Sequence, residues 1–263
     1  MRSTIIILTA LIITAPAYGG QGVAPVIVEH GPRDSRKVAL TFDACRTGLA
    51  DEYDEKVVEV LLREKVPATI FMSGRWVDKN RDKTKYLSEQ PQFEIANHSY
   101  YHPHMTEEPD TRVLLELKRT QALLKKVTGR KALYFRPPYG EVDGRVAAIA
   151  AGIGLTTIQY DIASGDPDPK LSARRIAQGV LQEAKGGSII VFHVNRNGVH
   201  TAEALPEIIA GLRQRGFELV TVGEMLMTAD TGTQGQGNVE KRGVSVPECG
   251  PTSITTEEYS KHD

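Results

Sequence analysis

The sequence has few cysteines, few aromatic residues and no excess of charge of either sign. Its 263 residues include two cysteines, one tryptophan and 6% aromatic residues, and 32 basic residues are balanced by 33 acidic ones. Because the basic residues form no stripe along the chain, nucleic acid is not expected as a partner. The single tryptophan, Trp76, and a few tyrosines are too little to define binding subsites. The two cysteines, Cys45 and Cys249, allow one disulfide in an oxidising compartment, although sequence alone does not fix their pairing.

Long apolar runs are absent beyond the N-terminus, where one extends from Ile5 to Ile13. It follows Arg2 and precedes the small residues Ala15-Pro16-Ala17, an order that is typical of a secretory signal peptide. The run is shorter than the roughly 20 apolar residues of a membrane span. We therefore expect residues 1–17 to be removed, and the mature protein to be periplasmic or secreted and to lack a membrane span.

Short β-rich runs recur along the chain, and helical patterns separate most of them. Apolar residues three and four apart, such as Val57, Leu61 and Leu205, Ile208, mark helices with one buried face. Strands that alternate with such helices predict a mainly parallel sheet. About seven units favour a single-domain α/β fold, a distorted (β/α)7-type barrel, over an open doubly wound sheet. The predicted strands are Val38 to Asp43, Ala68 to Met72, Phe93 to Asn97, Leu133 to Arg136, Thr156 to Tyr160, Ser188 to His193 and Phe217 to Thr221.

Polar and ionisable residues follow the predicted strands at the points where the strands end. In β/α barrels the carboxyl ends of the strands share one face, and functional sites are built there. We therefore expect residues that are far apart in sequence to converge. They are Asp43, His98, Arg136, Asp161, Asp166 and His193.

Two histidines four residues apart, His98 and His102, form the clearest candidate for a metal site. If their segment makes a helical turn, both imidazoles lie on one face and one ion can bridge them. Two unrelated surface histidines are the alternative. Ser99 could orient the turn, and His104 is a weaker third candidate because Pro103 intervenes.

Two further segments carry chemistry at strand ends. In "YFRPPYG", Pro137 and Pro138 stiffen the loop after Arg136. The guanidinium of Arg136 could hold a carboxylate through two hydrogen bonds. A plain proline turn with a surface arginine is the alternative explanation of this motif. In "GGSIIVFH", a buried strand ends at His193. A lone histidine there would be a core residue, but a neighbouring aspartate would raise its pKa and suit it to general acid catalysis.

Together these segments resemble the polysaccharide deacetylases, the family with the chitooligosaccharide deacetylase homology domain, also called carbohydrate esterase family 4. The resemblance extends from about Val38 to about Thr221, and the motifs come in family order. Two family patterns are matched in full, H-[ST]-x-x-H by His98 to His102 and R-P-P-[YF]-G by Arg136 to Gly140. The pattern T-F-D-D-G corresponds to Thr41 to Cys45, which differs from it at the last two residues. The family's loop aspartate corresponds to Asp166, followed here by Pro167 and not by tryptophan, and its strand-terminal histidine corresponds to His193.

The resemblance implies a role for each matched residue in amide hydrolysis. It implies that Asp43 is the catalytic base, that Arg136 orients this base, and that His98 and His102 bind the metal. It implies that the backbone N–H of Tyr139 binds the oxyanion and that Pro138 beside it contributes to substrate binding. It also implies that His193 is the general acid and that Asp166 is its partner. The expected cofactor is a divalent metal, zinc first, with cobalt, nickel or manganese as alternatives.

The sequence departs from the family at Ala44, where the family has a third metal ligand. Alanine has no donor atom, whereas catalytic zinc sites usually have three protein ligands. Cys45 or Asp43 could complete the set instead. We expect a weakly held metal, and we expect Ala44→Asp to tighten metal binding.

The resemblance implies a metal-dependent hydrolase that removes N-acetyl groups, or alternatively O-acetyl groups, from a cell-envelope or extracellular polysaccharide. The signal-peptide pattern implies that this hydrolase is exported. The expected partner is therefore an N-acetylated glycan. A hydrolase of a non-sugar C–N bond and a metal-poor glycan-binding protein without catalysis are the alternatives. We assign residues 18–36 to an N-terminal segment, 37–228 to the catalytic domain and 229–263, rich in Gly, Thr and Ser, to a flexible tail.

Overall fold

The computed structural model describes residues 26–45 and 53–227. Within these ranges the chain forms nine strands and eight α-helices. The strands are β1 (Ile27–Val28), β2 (Lys37–Ala44), β3 (Ala68–Met72), β4 (Phe93–Asn97), β5 (Tyr134–Phe135), β6 (Thr156–Ile158), β7 (Ile162–Ala163), β8 (Ile189–His193) and β9 (Glu218–Leu219). The helices are α1 (Glu55–Arg63), α2 (Gly74–Lys79), α3 (Arg81–Glu89), α4 (Asp110–Thr128), α5 (Gly144–Ala151), α6 (Ala173–Glu183), α7 (Thr201–Gln214) and α8 (Val222–Met227).

The strands form one curled sheet in which every described pair is parallel. Their order is β1-β6-β5-β4-β3-β2-β8-β7, and β9 pairs with the first two residues of β2. The arrangement is an open half-barrel of a single α/β domain, which confirms the predicted distorted barrel class.

All seven predicted strands are present, some of them shorter than expected. The sequence did not reveal β1 and β7, because two residues are too few to show an alternating pattern. Of the predicted helical stripes, those of α1, α6 and α7 are buried as expected. In α4 the buried face also includes two polar residues, Glu116 and Thr120, which an apolar pattern does not mark.

The alternation of side chains along β2 places Asp43 opposite the main core. Leu40, Phe42 and Ala44 pack into the hydrophobic cluster shared with the helices, and Phe42 stacks on Phe192 with ring centroids 5.5 Å apart. Burying a phenylalanine of this kind contributes about 1.5–3 kcal/mol. Because successive strand residues point to opposite faces, Asp43 lies on the other face of the sheet.

The expected termini lie largely outside the described residues. Neither the signal-peptide segment 1–17 nor the tail 229–263 is described, so the proposed boundaries stay a prediction. Among residues 26–45 and 53–227, no helix combines the length and the apolar character that crossing a bilayer requires.

Candidate active site

Asp43 ends β2 with its carboxylate held by a buried arginine. The Arg136 Nη1 donates to Asp43 Oδ1 at 2.9 Å, and Arg136 is fully buried. Burial alone would raise the pKa of Asp43. The Arg136 guanidinium and the imidazoles of His98 and His193 outweigh burial, so the pKa lies below the ordinary value. Asp43 is therefore ionised at neutral pH and is suited to accept a proton.

His98 has one ring nitrogen occupied and the other directed at Asp43. Its Nδ1 lies 2.8 Å from the carbonyl oxygen of Arg136, so Nδ1 must carry the proton and donate it. The Nε2 atom then has a free lone pair and faces Asp43 Oδ2 at 3.8 Å. Burial lowers the pKa of His98 despite the nearby carboxylate, so the ring is neutral near pH 7. A neutral imidazole is the form that binds a metal.

The second histidine, His102, lies next to the first. The two ring centroids are 4.8 Å apart. Burial lowers the pKa of His102 well below the ordinary value, and the neighbouring imidazoles of His98 and His193 lower it further. The segment between His98 and His102 does not form the helical turn that their spacing of four residues suggested. The segment is an irregular loop in which Ser99 and His102 have φ values of 60° and 63°, and the Ser99 hydroxyl accepts the His102 N–H at 3.1 Å.

His193 and Asp166 form a buried pair on the other side of Asp43. The His193 Nδ1 lies 2.9 Å from Asp166 Oδ1, and Asp166 Oδ2 accepts the His193 N–H at 2.8 Å. Burial lowers the pKa of His193, but the Asp166 carboxylate outweighs burial and raises it above the ordinary value. Since His193 lies opposite Asp43 in the β2–β8 register, a base and a potential acid occupy adjacent strands.

Two hydroxyl groups complete the environment of Asp166. Thr201, the first residue of α7, donates to Oδ2 at 2.6 Å, and Ser164 donates to Oδ1 at 3.0 Å. Nothing in the sequence marks either residue, because single hydroxyls at a helix start and in a loop have no distinctive pattern. Their hydrogen bonds hold the Asp166 carboxylate in place beside His193.

Tyr139 lies between two histidine rings at the edge of the site. Its ring centroid is 4.5 Å from that of His102 and 4.1 Å from that of His104, which stacks on it nearly parallel. The His104 Nδ1 also lies 2.9 Å from a carboxylate oxygen of Glu141. Tyr139 has a φ of 57° in the short turn Pro138–Gly140, a left-handed backbone conformation that is uncommon for a residue other than glycine. Pro138 itself is buried.

One residue expected near these groups lies elsewhere. Asp161 was grouped with the strand-end residues, but it precedes β7 and so lies at the opposite end of the sheet. Its carboxylate accepts from Arg33 at 2.8 Å and from the Ile189 N–H at 2.8 Å. Asp161 therefore anchors the start of β8 and is not part of the site.

The side chains available to a metal are two imidazoles and the Asp43 carboxylate. Cys45 is not available as a third ligand, because it is disulfide-bonded; the only other cysteine, Cys249, lies outside the described residues. Ala44 is fully buried in the hydrophobic cluster. Within residues 26–45 and 53–227, no group of three His, Cys, Asp or Glu side chains is arranged to hold a metal. The neutral imidazoles fit a divalent metal by donor type but supply fewer ligands than is usual.

The fold and these residues together define a parallel β/α half-barrel with a base, an acid and two candidate metal ligands at the strand ends. Comparison with known proteins identifies its family. The pattern of the polysaccharide deacetylase family matches residues 30–158. The chain belongs to the polysaccharide deacetylase family.

Similar proteins include a deacetylase and an uncharacterized protein. A peptidoglycan-N-acetylglucosamine deacetylase of Bacillus cereus is 28% identical over 76% of this chain and 71% of its own length. YlxY, an uncharacterized protein of Bacillus subtilis, is 29% identical over 80% of this chain, and the match spans only 64% of that relative.

The structural neighbours include a pseudoenzyme as well as enzymes. A wild-type pseudoenzyme of carbohydrate esterase family 4 from Bacillus anthracis superimposes with a TM-score of 0.70 at 26% identity, over 78% of this chain and 70% of that one. The fold is therefore shared by active enzymes and by a pseudoenzyme, and the activity of this chain depends on its own site.

Proposed function

We propose that this protein is an exported, metal-dependent deacetylase that removes N-acetyl groups from a cell-envelope or extracellular glycan. The observation that carries the proposal is the pairing of Asp43 with Arg136 beside His98, and of His193 with Asp166 on the strand next to that of Asp43. Amide hydrolysis requires a base and an acid that are ionised in opposite senses, and these two environments push the two pKa values in those directions.

The chain's own residues account for the proton transfers. A divalent metal bound by His98 and His102 would supply Lewis acidity and an acidified water. Asp43 takes a proton from the attacking water as the water oxygen adds to the acetamide carbon. The backbone N–H of Tyr139 donates to the developing oxyanion. His193 then gives a proton to the amine nitrogen as the C–N bond breaks, releasing acetate and the free amino sugar.

An N-acetylated sugar of peptidoglycan is the first substrate to test, because a relative bears that activity in its name. Acetylated xylan would release acetate from an O-acetyl group. Two further observations support export: the signal-peptide pattern at residues 1–17 and the disulfide at Cys45, since disulfides persist in oxidising compartments.

A glycan-binding protein without catalysis is the second candidate. The buried Ala44 in place of the family's third ligand and the pseudoenzyme neighbour favour it.

The experiment that separates the candidates is acetate release from peptidoglycan, chitooligosaccharide and acetylated xylan, measured after the purified protein is loaded with Zn²⁺ or Co²⁺. We expect release from at least one N-acetylated substrate, and loss of release in Asp43→Asn. Glycan binding without acetate from any of the three by metal-loaded protein would support the non-catalytic candidate.

A further inference from the structure

The loop that carries the two histidines is held in an unusual backbone conformation. Two of its residues, Ser99 and His102, have positive φ values without being glycine. A left-handed conformation costs an ordinary residue free energy and persists only when its surroundings impose it. Since these two residues determine where the His98 and His102 rings lie, the groups that impose the conformation also determine the geometry of the histidine pair.

The backbone N–H groups of the loop are satisfied by side chains and not by a helix. The Ser99 N–H donates to the Asn97 side chain at 2.9 Å, and the His102 N–H donates to the Ser99 hydroxyl at 3.1 Å. Both of these acceptors lie within the segment itself. The two central N–H groups, of Tyr100 and Tyr101, have a different acceptor.

That acceptor is a single buried carboxylate from α4. Glu116 Oε2 accepts the Tyr100 N–H at 2.8 Å and the Tyr101 N–H at 2.7 Å. Glu116 is 1% exposed, and the Nη2 of Arg112, one turn earlier on the same helix, lies 3.7 Å from its other oxygen. A carboxylate is seldom buried to this extent unless it is engaged by such donors.

The same region fixes the rest of the loop from two sides. The carbonyl groups of Ser99 and Tyr100 accept from the N–H groups of Gly74 and Arg75 at 2.9 and 3.0 Å. On α4, the guanidinium of Arg119 lies 3.9 Å from the centre of the Tyr100 ring. The α2 contacts hold the carbonyl groups of the loop. Glu116 holds its two central N–H groups with a single carboxylate oxygen.

We propose that Glu116 is a positioning residue, whose carboxylate holds the Tyr100 and Tyr101 N–H groups so that His98 and His102 converge on one ion. The proposal deepens the proposed function and rests on it for the identity of the ion as a divalent metal. Glu116 acts through the backbone of the loop, because its carboxylate accepts the N–H groups of Tyr100 and Tyr101, which lie between the two histidines in the sequence.

Two substitutions separate the acceptor from its charge. Glu116→Gln keeps an oxygen at the same reach and can still accept both N–H groups, whereas Glu116→Asp keeps the charge but is shorter by one methylene. Glu94 provides the matched control. Glu94 is also a largely buried glutamate, and its carboxylate accepts hydrogen bonds from the Thr69 hydroxyl at 2.7 Å and from the Gly223 N–H at 3.1 Å. It lies near the start of β4, whereas the histidine loop follows the end of that strand.

The first measurement is amide hydrogen exchange of the metal-free protein. We expect the Tyr100 and Tyr101 amides to be protected in wild type and in Glu116→Gln, and to lose protection selectively in Glu116→Asp. The Glu94→Gln and Glu94→Asp variants should leave both amides protected. Equal protection in wild type and Glu116→Asp would overturn the proposal.

The second measurement is a calorimetric titration of the apoprotein with Co²⁺, with the visible spectrum of the bound ion as a readout of ligand geometry. We expect Glu116→Asp to weaken affinity about 10–100-fold and to alter the spectrum, as happens when outer partners of metal ligands are lost. Glu116→Gln should stay within a few-fold of wild type, and the Glu94 variants should match it. Weakening in Glu116→Gln equal to that in Glu116→Asp would overturn the acceptor role. Wild-type protein that binds no Co²⁺ would contradict the proposed function, and hydrogen exchange alone would then decide whether Glu116 holds the loop.

Discussion

The strongest electrostatic contact of the site is the buried pair of Asp43 and Arg136, and Arg136→Met should reveal its contribution. Methionine keeps an apolar side chain against Phe71, whose ring centre lies 4.1 Å from the guanidinium carbon, but removes the charge. The Asp43 side chain is only 10% exposed, so its charge would then be buried without its main partner. Removing one member of a buried ion pair costs about 3–5 kcal/mol. In a protein of this size that corresponds to a fall in Tm of about 6–20 °C.

The pH dependence of this loss identifies its cause. In wild type the pKa of Asp43 is depressed, so the pair contributes stability above the pKa of the unfolded state and loses it as pH falls through the folded value. In Arg136→Met burial dominates and raises the pKa of Asp43, so acidification neutralises the buried charge. The difference in free energy of unfolding between wild type and variant should therefore shrink as pH falls from 7 toward about 4.

The assay is urea unfolding followed by circular dichroism at several pH values. Asp43→Asn/Arg136→Met is the control, because it has no charge to leave unpaired and should recover most of the loss at pH 7. A loss below about 0.5 kcal/mol in Arg136→Met, within the range of ordinary surface substitutions, or a loss that does not change with pH, would refute this account of the pair.

Two further variants test the acid and the metal site. Asp166→Asn should lower the pKa of His193 and move the basic limb of the pH–rate profile to lower pH, since His193 must be protonated to act as the acid; an unmoved limb would show that Asp166 is only structural. Ala44→Asp should tighten metal binding about 10–100-fold, which requires the end of β2 to turn the new carboxylate out of the hydrophobic cluster and toward the histidine pair. Because Ala44 is fully buried, the same variant should be less stable than wild type without metal and should regain stability when Zn²⁺ is added. Thermal unfolding with and without Zn²⁺ measures this, and an unchanged affinity would contradict it.

The sequence predicted the strands and the convergence of the site residues because both follow from local patterns. Apolar runs that end at Asp43, Asn97 and His193 mark strands, and parallel strands bring their ends together. These inferences needed only periodicity and topology. The pairing of Arg136 with Asp43 and of Asp166 with His193 came instead from the resemblance to the polysaccharide deacetylases.

The conformation of the histidine loop could not be predicted in the same way. Spacing of four residues suggested a helical turn, in which the amides of Tyr100 and Tyr101 would bond within the turn. In the structure Glu116, far along the chain, takes both amides, and its position on the buried face of α4 contradicts what its polarity indicates. A long-range acceptor of this kind leaves no trace in local sequence.

The third protein ligand of the metal could not be predicted from local sequence either. The sequence offered Cys45 and Asp43 as substitutes for the donor that is missing at Ala44. The disulfide at Cys45 removes the first, a fact that depends on which cysteines meet in space.

The central claim is that Asp43 and the His98–His102 pair form one metal-dependent deacetylation site. Acetate release from an N-acetylated chitooligosaccharide, measured against added Zn²⁺ after treatment with a chelator, tests it most directly. The account predicts no release without metal, recovery that saturates with Zn²⁺ in wild type, and no recovery in His98→Ala or Asp43→Asn. Release that persists after the chelator, or that survives in Asp43→Asn, would contradict it.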